Sequence, residues 1–240
     1  MRAYAPLLAL TLAAGLAACG GSSGSSQAAP PASTDLTSCT PPGTTAYQSA
    51  LPPKLSNLCL MVPSNGTVQP KAGVVAYELN TPLFSDYALK TRMIYVPSGG
   101  TVAYDDSAAL DMPAGSIVAK TFAFAPDLRQ PGTGAYLVET RVLVRTSSGW
   151  TGASYVWSPD QKDADLTPGG EVQSITFVDP SGTAQRSNYL VPSVNECSRC
   201  HDTASDGTNH LIGTTVRNLN RSHDYGNGPE NQLTHLANLG

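Results

Sequence analysis

Between residues 74 and 192, apolar and polar positions alternate with a period of two, the pattern typical of β-strands. The clearest segment is 135–146, whose even-numbered positions are apolar, aromatic or Thr, whereas its odd-numbered positions mix Leu with Glu and Arg. The second face is therefore expected to be half exposed, as on one side of an antiparallel sheet. Further strand candidates share this character: 74–79, 92–96, 117–125, 152–157, 172–178 and 185–191.

Turns rich in Gly and Pro separate these candidates, for example Ser98-Gly99-Gly100 and Pro168-Gly169-Gly170. Seven or eight short strands at this spacing predict a mainly β domain over 72–192. They favour an antiparallel β-sandwich or a small barrel.

The alternation stops after His201, so 193–240 is expected to be a short segment rich in loops and helix. One helix is predicted near the end of the chain, with Leu233 and Leu236 on its apolar side. Pro229 suits the first turn of that helix, with residue 227 or 228 as its cap.

The first residues of the chain are typical of an export signal. Arg2 supplies a positive charge, and 7–18 is an apolar stretch of twelve residues, too short to span a membrane as a helix. The stretch ends in Leu16-Ala17-Ala18-Cys19, which resembles the lipobox of bacterial lipoproteins, where the chain is cut before the Cys and the Cys is acylated. We therefore expect a lipoprotein signal peptide at 1–18 and a lipid on Cys19; the alternative is an ordinary signal peptide with an incidental Cys.

A Gly/Ser-rich flexible tether is expected at 19–35. It would hold the protein at a membrane outside the cytoplasm through the N-terminal lipid, on the outer membrane or the periplasmic face. The composition agrees with export: charged residues are 13% of the chain, against roughly 25% in an average soluble domain. The net charge of −4 gives no electrostatic footprint for nucleic acid, which is not expected as a partner.

The five cysteines give the most specific chemical signal. Cys197 and Cys200 belong to the run Cys197-Ser198-Arg199-Cys200-His201, the attachment signature of c-type haem. Two thiols three positions apart can each add to one haem vinyl group, and the next residue then lies under the iron. We predict one covalently attached haem c, with His201 as the proximal iron ligand. The alternatives are a thioredoxin-like redox pair, which needs a βαβ unit, and half of a zinc site, which needs a second Cys/His pair.

With Cys19 acylated, Cys39 and Cys59 remain, and they enclose a Pro-rich loop of nineteen residues. In an oxidising compartment they are expected to form a disulfide within a loop region over 36–71. A loop of that size makes the bond worth about 3 kcal/mol. The alternative is a pair of free thiols.

The sequence alone does not identify the second axial ligand of the iron. Apart from Met1, the candidates are the methionines Met61, Met93 and Met112 and the histidines His210, His223 and His235. The histidines follow the haem motif closely, so loop closure favours them. His235 is the preferred candidate because it lies on the predicted terminal helix; the alternative is a solvated helix histidine.

Two other clusters invite interpretation. Three aspartates could bind calcium, although a solvated loop fits them better; they are Asp160, Asp163 and Asp165. Three aromatic residues could form a sugar-binding platform, although such residues in strands usually belong to the core; they are Trp150, Tyr155 and Trp157. No hydrolase motif is present.

Several longer segments resemble a family of bacterial di-haem c-type cytochrome lipoproteins, from about residue 54 to the end of the chain. The matching segments are 77–88 (YELNTPLFSDYA), 115–122 (GSIVAKTF), 139–141 (ETR), 155–157 (YVW), 160–161 (DQ), 191–192 (VP), 217–220 (RNLN) and 231–233 (NQL). By position, the resemblance implies that Cys197 and Cys200 are the thioether cysteines and that His201 is the proximal ligand. That family carries a second haem motif nearer the C-terminus, which this sequence lacks, so 193–240 is expected to be a truncated haem segment or one whose haem the β domain covers.

Together these observations predict a lipid-anchored c-type cytochrome that transfers electrons to or from a redox partner protein outside the cytoplasm. One alternative is a haem-dependent, peroxidase-like oxidoreductase with an open distal site. A second alternative is a surface β-sandwich binding module.

Overall fold

The computed structural model describes Cys39, Pro41, Tyr47 and residues 50–239. The predicted signal peptide, Cys19 and the tether lie outside the described residues. The strands are β1 (Met61–Ser64), β2 (Thr67–Pro70), β3 (Val74–Ala76), β4 (Leu89–Tyr95), β5 (Ile117–Phe124), β6 (Tyr136–Thr146), β7 (Gly149–Trp157), β8 (Ala164–Leu166), β9 (Glu171–Val178), β10 (Ala184–Val191), β11 (Ser222–Asp224) and β12 (Pro229–Asn231). The helices are α1 (Val194–His201), α2 (Val216–Leu219) and α3 (Gln232–Asn238), and a short 3-10 turn covers Leu55–Leu58.

The main sheet has six antiparallel strands in the order β3-β4-β5-β6-β7-β8. Three separate antiparallel hairpins accompany it: β1–β2, β9–β10 and β11–β12. The mainly β, antiparallel fold predicted from the alternation is confirmed, and so is the short helical segment at the C-terminal end. The sheets do not close into a barrel.

Both faces of the main sheet carry apolar cores. The face that includes Met93, Ala119 and Val142, here called the front face, is covered by the β1–β2 hairpin and the 3-10 turn. The opposite, back face carries two cores. At one end the C-terminal segment packs on Ile94, Val118 and Trp150; at the other the β9–β10 hairpin packs on Phe122 and Phe124. Between these two cores the back face is polar, and helix α1 lies there against β7.

A β-bulge in β6 breaks the expected alternation. Phe122 pairs with Glu139 and Ala123 with Leu137, which leaves Val138 as an extra residue. Val138 packs on the back face against Phe122, whereas Val142 faces the front. Without the bulge, strict alternation from Val142 would put Val138 on the front face.

The back face of β6 is half-exposed at Arg141, Leu143 and Arg145, as the sequence pattern predicts, but not at Glu139. Glu139 on that face is completely buried, because the β9–β10 hairpin folds over it. The Glu139 carboxylate accepts hydrogen bonds through Oε1 from the Tyr189 hydroxyl at 2.5 Å and from Arg141 Nε at 3.0 Å. These partners make burial of the charge tolerable.

The terminal helix begins later than predicted. Pro229 lies in β12, paired with Asp224, and α3 starts at Gln232. Asn231 is the cap, since its side chain accepts hydrogen bonds from the backbone N–H groups of Leu233 and Thr234. The predicted loop region 36–71 also contains the β1–β2 hairpin.

Candidate haem attachment site

Helix α1 has a well-fixed start. Ser193 and Glu196 form a capping box: the Glu196 backbone N–H donates to Ser193 Oγ at 3.4 Å, and Ser193 N–H donates to Glu196 Oε2 at 2.8 Å. Just before the helix, the Pro192 carbonyl accepts a hydrogen bond from Ser154 Oγ of β7 at 3.0 Å. The Val194 N–H donates to the carbonyl of Pro168. The strand β10 and these contacts therefore hold the haem motif against the sheet.

The two cysteines of the motif lie on one side of α1, because helical positions three apart are neighbours on the helix surface. Cys197 is half-buried over Gly152 of β7, where a Cβ would come within 3.5 Å of the Cys197 Cβ. Cys200 is exposed, and both thiols are free. Burial raises the pKa of the Cys197 thiol, and the Arg141 charge acts in the opposite direction.

The ring of His201 is oriented by one hydrogen bond. Its Nδ1 lies 2.7 Å from the backbone carbonyl oxygen of His210. A carbonyl oxygen only accepts, so Nδ1 carries the hydrogen and donates. The neutral ring therefore presents its lone pair at Nε2. Metal-ligating histidines are typically held in this way, with the second ring nitrogen bonded to a carbonyl or carboxylate.

A short loop follows the motif and is closed on itself. The His210 N–H donates back to the His201 carbonyl at 2.7 Å. Within the loop, the Asp202 carboxylate accepts from the backbone N–H groups of Asp206 and Gly207. The side chain of His210 bonds to Asp206 and Thr208 through Nε2, so it helps to hold the loop in place.

The structure gives His235 a defined environment. Its Nδ1 lies 2.8 Å from Glu230 Oε2, and its ring stacks on Tyr225 with the centroids 3.5 Å apart. The side chain is 22% exposed, so His235 is not a freely solvated histidine. His223 contacts the edge of the same Tyr225 ring.

The three methionines are buried in apolar cores. Met61 and Met93 belong to the front-face core, on the side of the sheet opposite α1, and Met112 belongs to the core beneath the C-terminal segment.

The two alternatives to haem fit this geometry less well. A catalytic redox cysteine has a lowered thiol pKa at a helix N-terminus, whereas burial raises that of Cys197. The strand before α1 belongs to an antiparallel hairpin and not to a βαβ unit. For zinc, no group of three or more His, Cys, Asp or Glu side chains in the described part of the chain is arranged to hold a metal ion.

The residues of the motif fit a covalent haem. Two unpaired thiols share one side of a helix, and the adjacent histidine has a fixed tautomer with Nε2 available. Cys197 and Cys200 would hold the porphyrin, and His201 would hold the iron.

The other two clusters have structural roles. Asp163 accepts hydrogen bonds from Ser56, and Asp165 pairs with Lys54. The aromatic residues are buried and form no surface platform; they are Trp150, Tyr155 and Trp157.

Cys39 and Cys59, the pair that the sequence leaves for a disulfide, are joined in the structure, with their Cα atoms 5.5 Å apart. This bond ties Cys39 to the turn before β1.

One feature of the back face is not apparent from any motif. Arg92, Lys120 and Arg141 are direct cross-strand neighbours on β4, β5 and β6, and Ser154 continues the row onto β7. The signal in the sequence is slight: the candidates 92–96 and 117–125 each carry one basic residue, whereas 135–146 carries two, Arg141 and Arg145.

Comparison with protein families, with curated proteins and with solved structures finds no match for this chain. Within the described residues, no helix is both long and apolar enough to cross a lipid bilayer.

Proposed function

We propose that this protein is a c-type cytochrome that carries one covalent haem for electron transfer outside the cytoplasm and is held at a membrane by an N-terminal lipid on Cys19. The observation that carries the proposal is the orientation of His201, whose Nδ1–H donates to the His210 carbonyl and leaves Nε2 as the ligand atom. This orientation occurs directly beside two free thiols on one helix. Each element of a haem c site is then supplied by the chain itself.

The attachment chemistry needs no oxidant. Each thiol would add across one vinyl group: its sulfur bonds to one vinyl carbon and its hydrogen ends on the other. Burial raises the pKa of Cys197, which favours its thiol form. A bound haem would supply a one-electron couple at its iron, which the axial ligands and the surrounding charges tune.

The protein's part in this function is to fix the iron ligand and to expose one edge of the site. His201 is fixed by a closed loop on one side and by the capped helix on the other. Cys200, next to His201, is exposed, which suits exchange of electrons with a partner protein.

We propose His235 as the distal ligand. Its Nδ1 is bonded to the Glu230 carboxylate, so its tautomer is fixed in the same sense as that of His201. A bis-histidine iron is low-spin. The oxidoreductase alternative needs an open distal position, which gives a high-spin iron.

The attachment is tested by expressing the full chain with the haem ligation machinery. The intact mass should exceed that of the apoprotein by one haem, and the pyridine haemochrome spectrum should be that of a haem c. The Cys197→Ser, Cys200→Ser double variant should lose haem staining in a denaturing gel. Unchanged staining in the double variant would contradict the proposal.

The distal ligand is tested by His235→Ala, with His223→Ala as the matched control, since both histidines contact Tyr225. His235→Ala should convert a low-spin spectrum to high-spin, and His223→Ala should leave it low-spin. A high-spin spectrum in the wild type would favour the oxidoreductase instead. A sulfur-to-iron band would identify a Met ligand.

A further inference from the structure

We propose that the row formed by Arg92, Lys120 and Arg141, here called the cation row, binds the two propionate carboxylates of the haem. This inference rests on the proposed function and assigns a second contact to the same site. The row lies on the back face of the sheet, between its two cores, and it ends beside the helix that carries the thiols.

The cation row lies close to α1, the helix that carries the two thiols. Arg141 pairs with Ser154 of β7, and Ser154 holds the Pro192 carbonyl just before α1. Cys197 lies over Gly152, two residues from Ser154 on the same face. From β7 to β4 the row extends over three strand spacings, about 14 Å. A porphyrin with its propionate arms, attached at Cys197, spans a distance of this order.

The row has more positive charge than its surroundings neutralise. Like charges placed directly opposite one another in a sheet are destabilising. The Glu139 carboxylate lies beside the row, two residues from Arg141 on β6, and it is already engaged by Arg141 and Tyr189. Arg92 is only 7% exposed and forms no ion pair with a described carboxylate, and its Nη2 is buried without a hydrogen-bond partner in the described residues.

Neighbouring aromatic and charged groups offset only part of the excess positive charge of the cation row. Lys120 Nζ lies 4.6 Å from the centroid of the Phe122 ring, and the Arg141 guanidinium lies 4.4 Å from the same ring. Lys90 adds a further cation nearby, while Glu78, whose carboxylate pairs with Arg221, acts on Arg92 only at a distance. Burial and the neighbouring cations lower the pKa of Lys120 to about 7.

Two carboxylates are the ligand that such a row accepts. Guanidinium groups bind carboxylates through paired N–H donors, and an ammonium group adds a point charge between them. Bound propionates would satisfy Arg92 Nη2 and neutralise Lys120. The cost of burying these cations in the haem-free chain would then be offset in the haem-bound protein.

The experiment uses Arg92→Gln and Lys120→Gln in the full chain with haem attached. Arg186→Gln is the matched control, because Arg186 is an exposed cation on β10 whose Nε donates a hydrogen bond to Ser174. Haem content is measured by intact mass, and the reduction potential by redox titration as a function of pH. A second readout is the urea midpoint of the same substitutions in the Cys197→Ser, Cys200→Ser chain, which carries no haem.

We expect every variant to carry one haem. At pH 8 both row variants should have a lower reduction potential than the wild type and the control, because a nearby cation favours the more negative, reduced haem. The pH at which the potential begins to fall should move upward, because propionates without cations ionise later. In the haem-free chain at pH 7, Lys120→Gln should raise the urea midpoint, because folding must either bury the Lys120 charge without a carboxylate partner or remove its proton.

The inference is overturned if the row variants keep haem but show the potential and pH profile of the control. It is also overturned if Lys120→Gln lowers the urea midpoint of the haem-free chain. A wild type without haem would overturn the proposed function as well, and the mass measurement distinguishes that result from the others.

Discussion

The buried hydrogen bond between Tyr189 and Glu139 should contribute more to stability than any neutral tyrosine hydrogen bond in the protein. Tyr189 is on β10, the strand that leads into the haem motif, and it is 2% exposed. Its hydroxyl lies 2.5 Å from Oε1 of Glu139, which is completely buried. The bond therefore fastens the β9–β10 hairpin, and with it the start of α1, to the main sheet.

The expected loss in Tyr189→Phe follows from these observations. A hydrogen bond to a charged group contributes about 1.5–3 kcal/mol, against about 0.5–1.5 kcal/mol for a neutral pair. Water cannot replace the lost donor, because Glu139 is inaccessible to solvent. Arg141 still holds the carboxylate, so the residual charge is not left without a partner. We expect the free energy of unfolding to fall by about 2 kcal/mol.

Tyr155 provides a matched control. It is as buried as Tyr189, but its hydroxyl donates at 2.9 Å to the backbone carbonyl of Pro52, a half-exposed residue that water can reach. Tyr155→Phe removes the same oxygen atom and should cost about 1 kcal/mol. Urea unfolding of both variants, followed by circular dichroism, measures the difference between them.

A double-mutant cycle isolates the pair. Glu139→Gln, Tyr189→Phe and the double variant should give a coupling free energy of at least about 1 kcal/mol. The reasoning is refuted if Tyr189→Phe costs no more than Tyr155→Phe, or if the coupling is below about 0.5 kcal/mol.

Three further predictions follow from contacts described above. Gly152→Val should reduce haem attachment, because a Cβ at this position would come within 3.0 Å of Leu143 and 3.5 Å of Cys197. The attached fraction is measured by intact mass. Full attachment would contradict close packing of α1 on β7. In the haem-free chain, stability should rise as pH increases from about 7 toward 10.5, since the unfolded Lys120 binds a proton over this range and the folded one does not. In the Lys120→Met variant the urea midpoint should rise less over this pH range. An unchanged rise would mean that other groups cause it. Replacing Cys39 and Cys59 together by Ser should cost about 3 kcal/mol in urea unfolding, and a loss below about 1 kcal/mol would show that the closed loop adds little.

Much of the fold could be predicted from the sequence, because long strands bury alternate positions. The pattern over 117–125 and 135–146 corresponds to β5 and β6 within a residue or two at each end. The strands β8, β11 and β12 were not predictable, since three residues carry too little periodicity. The burial of Glu139 was also not predictable, because the hairpin that covers it follows more than thirty residues later.

The candidate site, like the fold, could be predicted only in part from the sequence. The spacing of Cys197, Cys200 and His201 is a local motif and can be read directly. The group that orients His201 is a backbone carbonyl, which every residue possesses, so no residue type in the sequence identifies it. The cation row depends on the register of three strands, and register is a property of the folded sheet.

The closed loop between His201 and His210 has a consequence for how this protein can vary. The two residues are joined by a pair of hydrogen bonds, one through the backbone and one through the ring, so the ends of the loop stay together whatever lies between them. Residues 203–207 at the tip are exposed. Because lengthening a closed loop costs little entropy, segments of different length and charge could be inserted there without displacing the ring. Related proteins could thus exchange this loop to recognise different partners, and an engineer could graft a peptide tag there, while the ligand geometry stays constant.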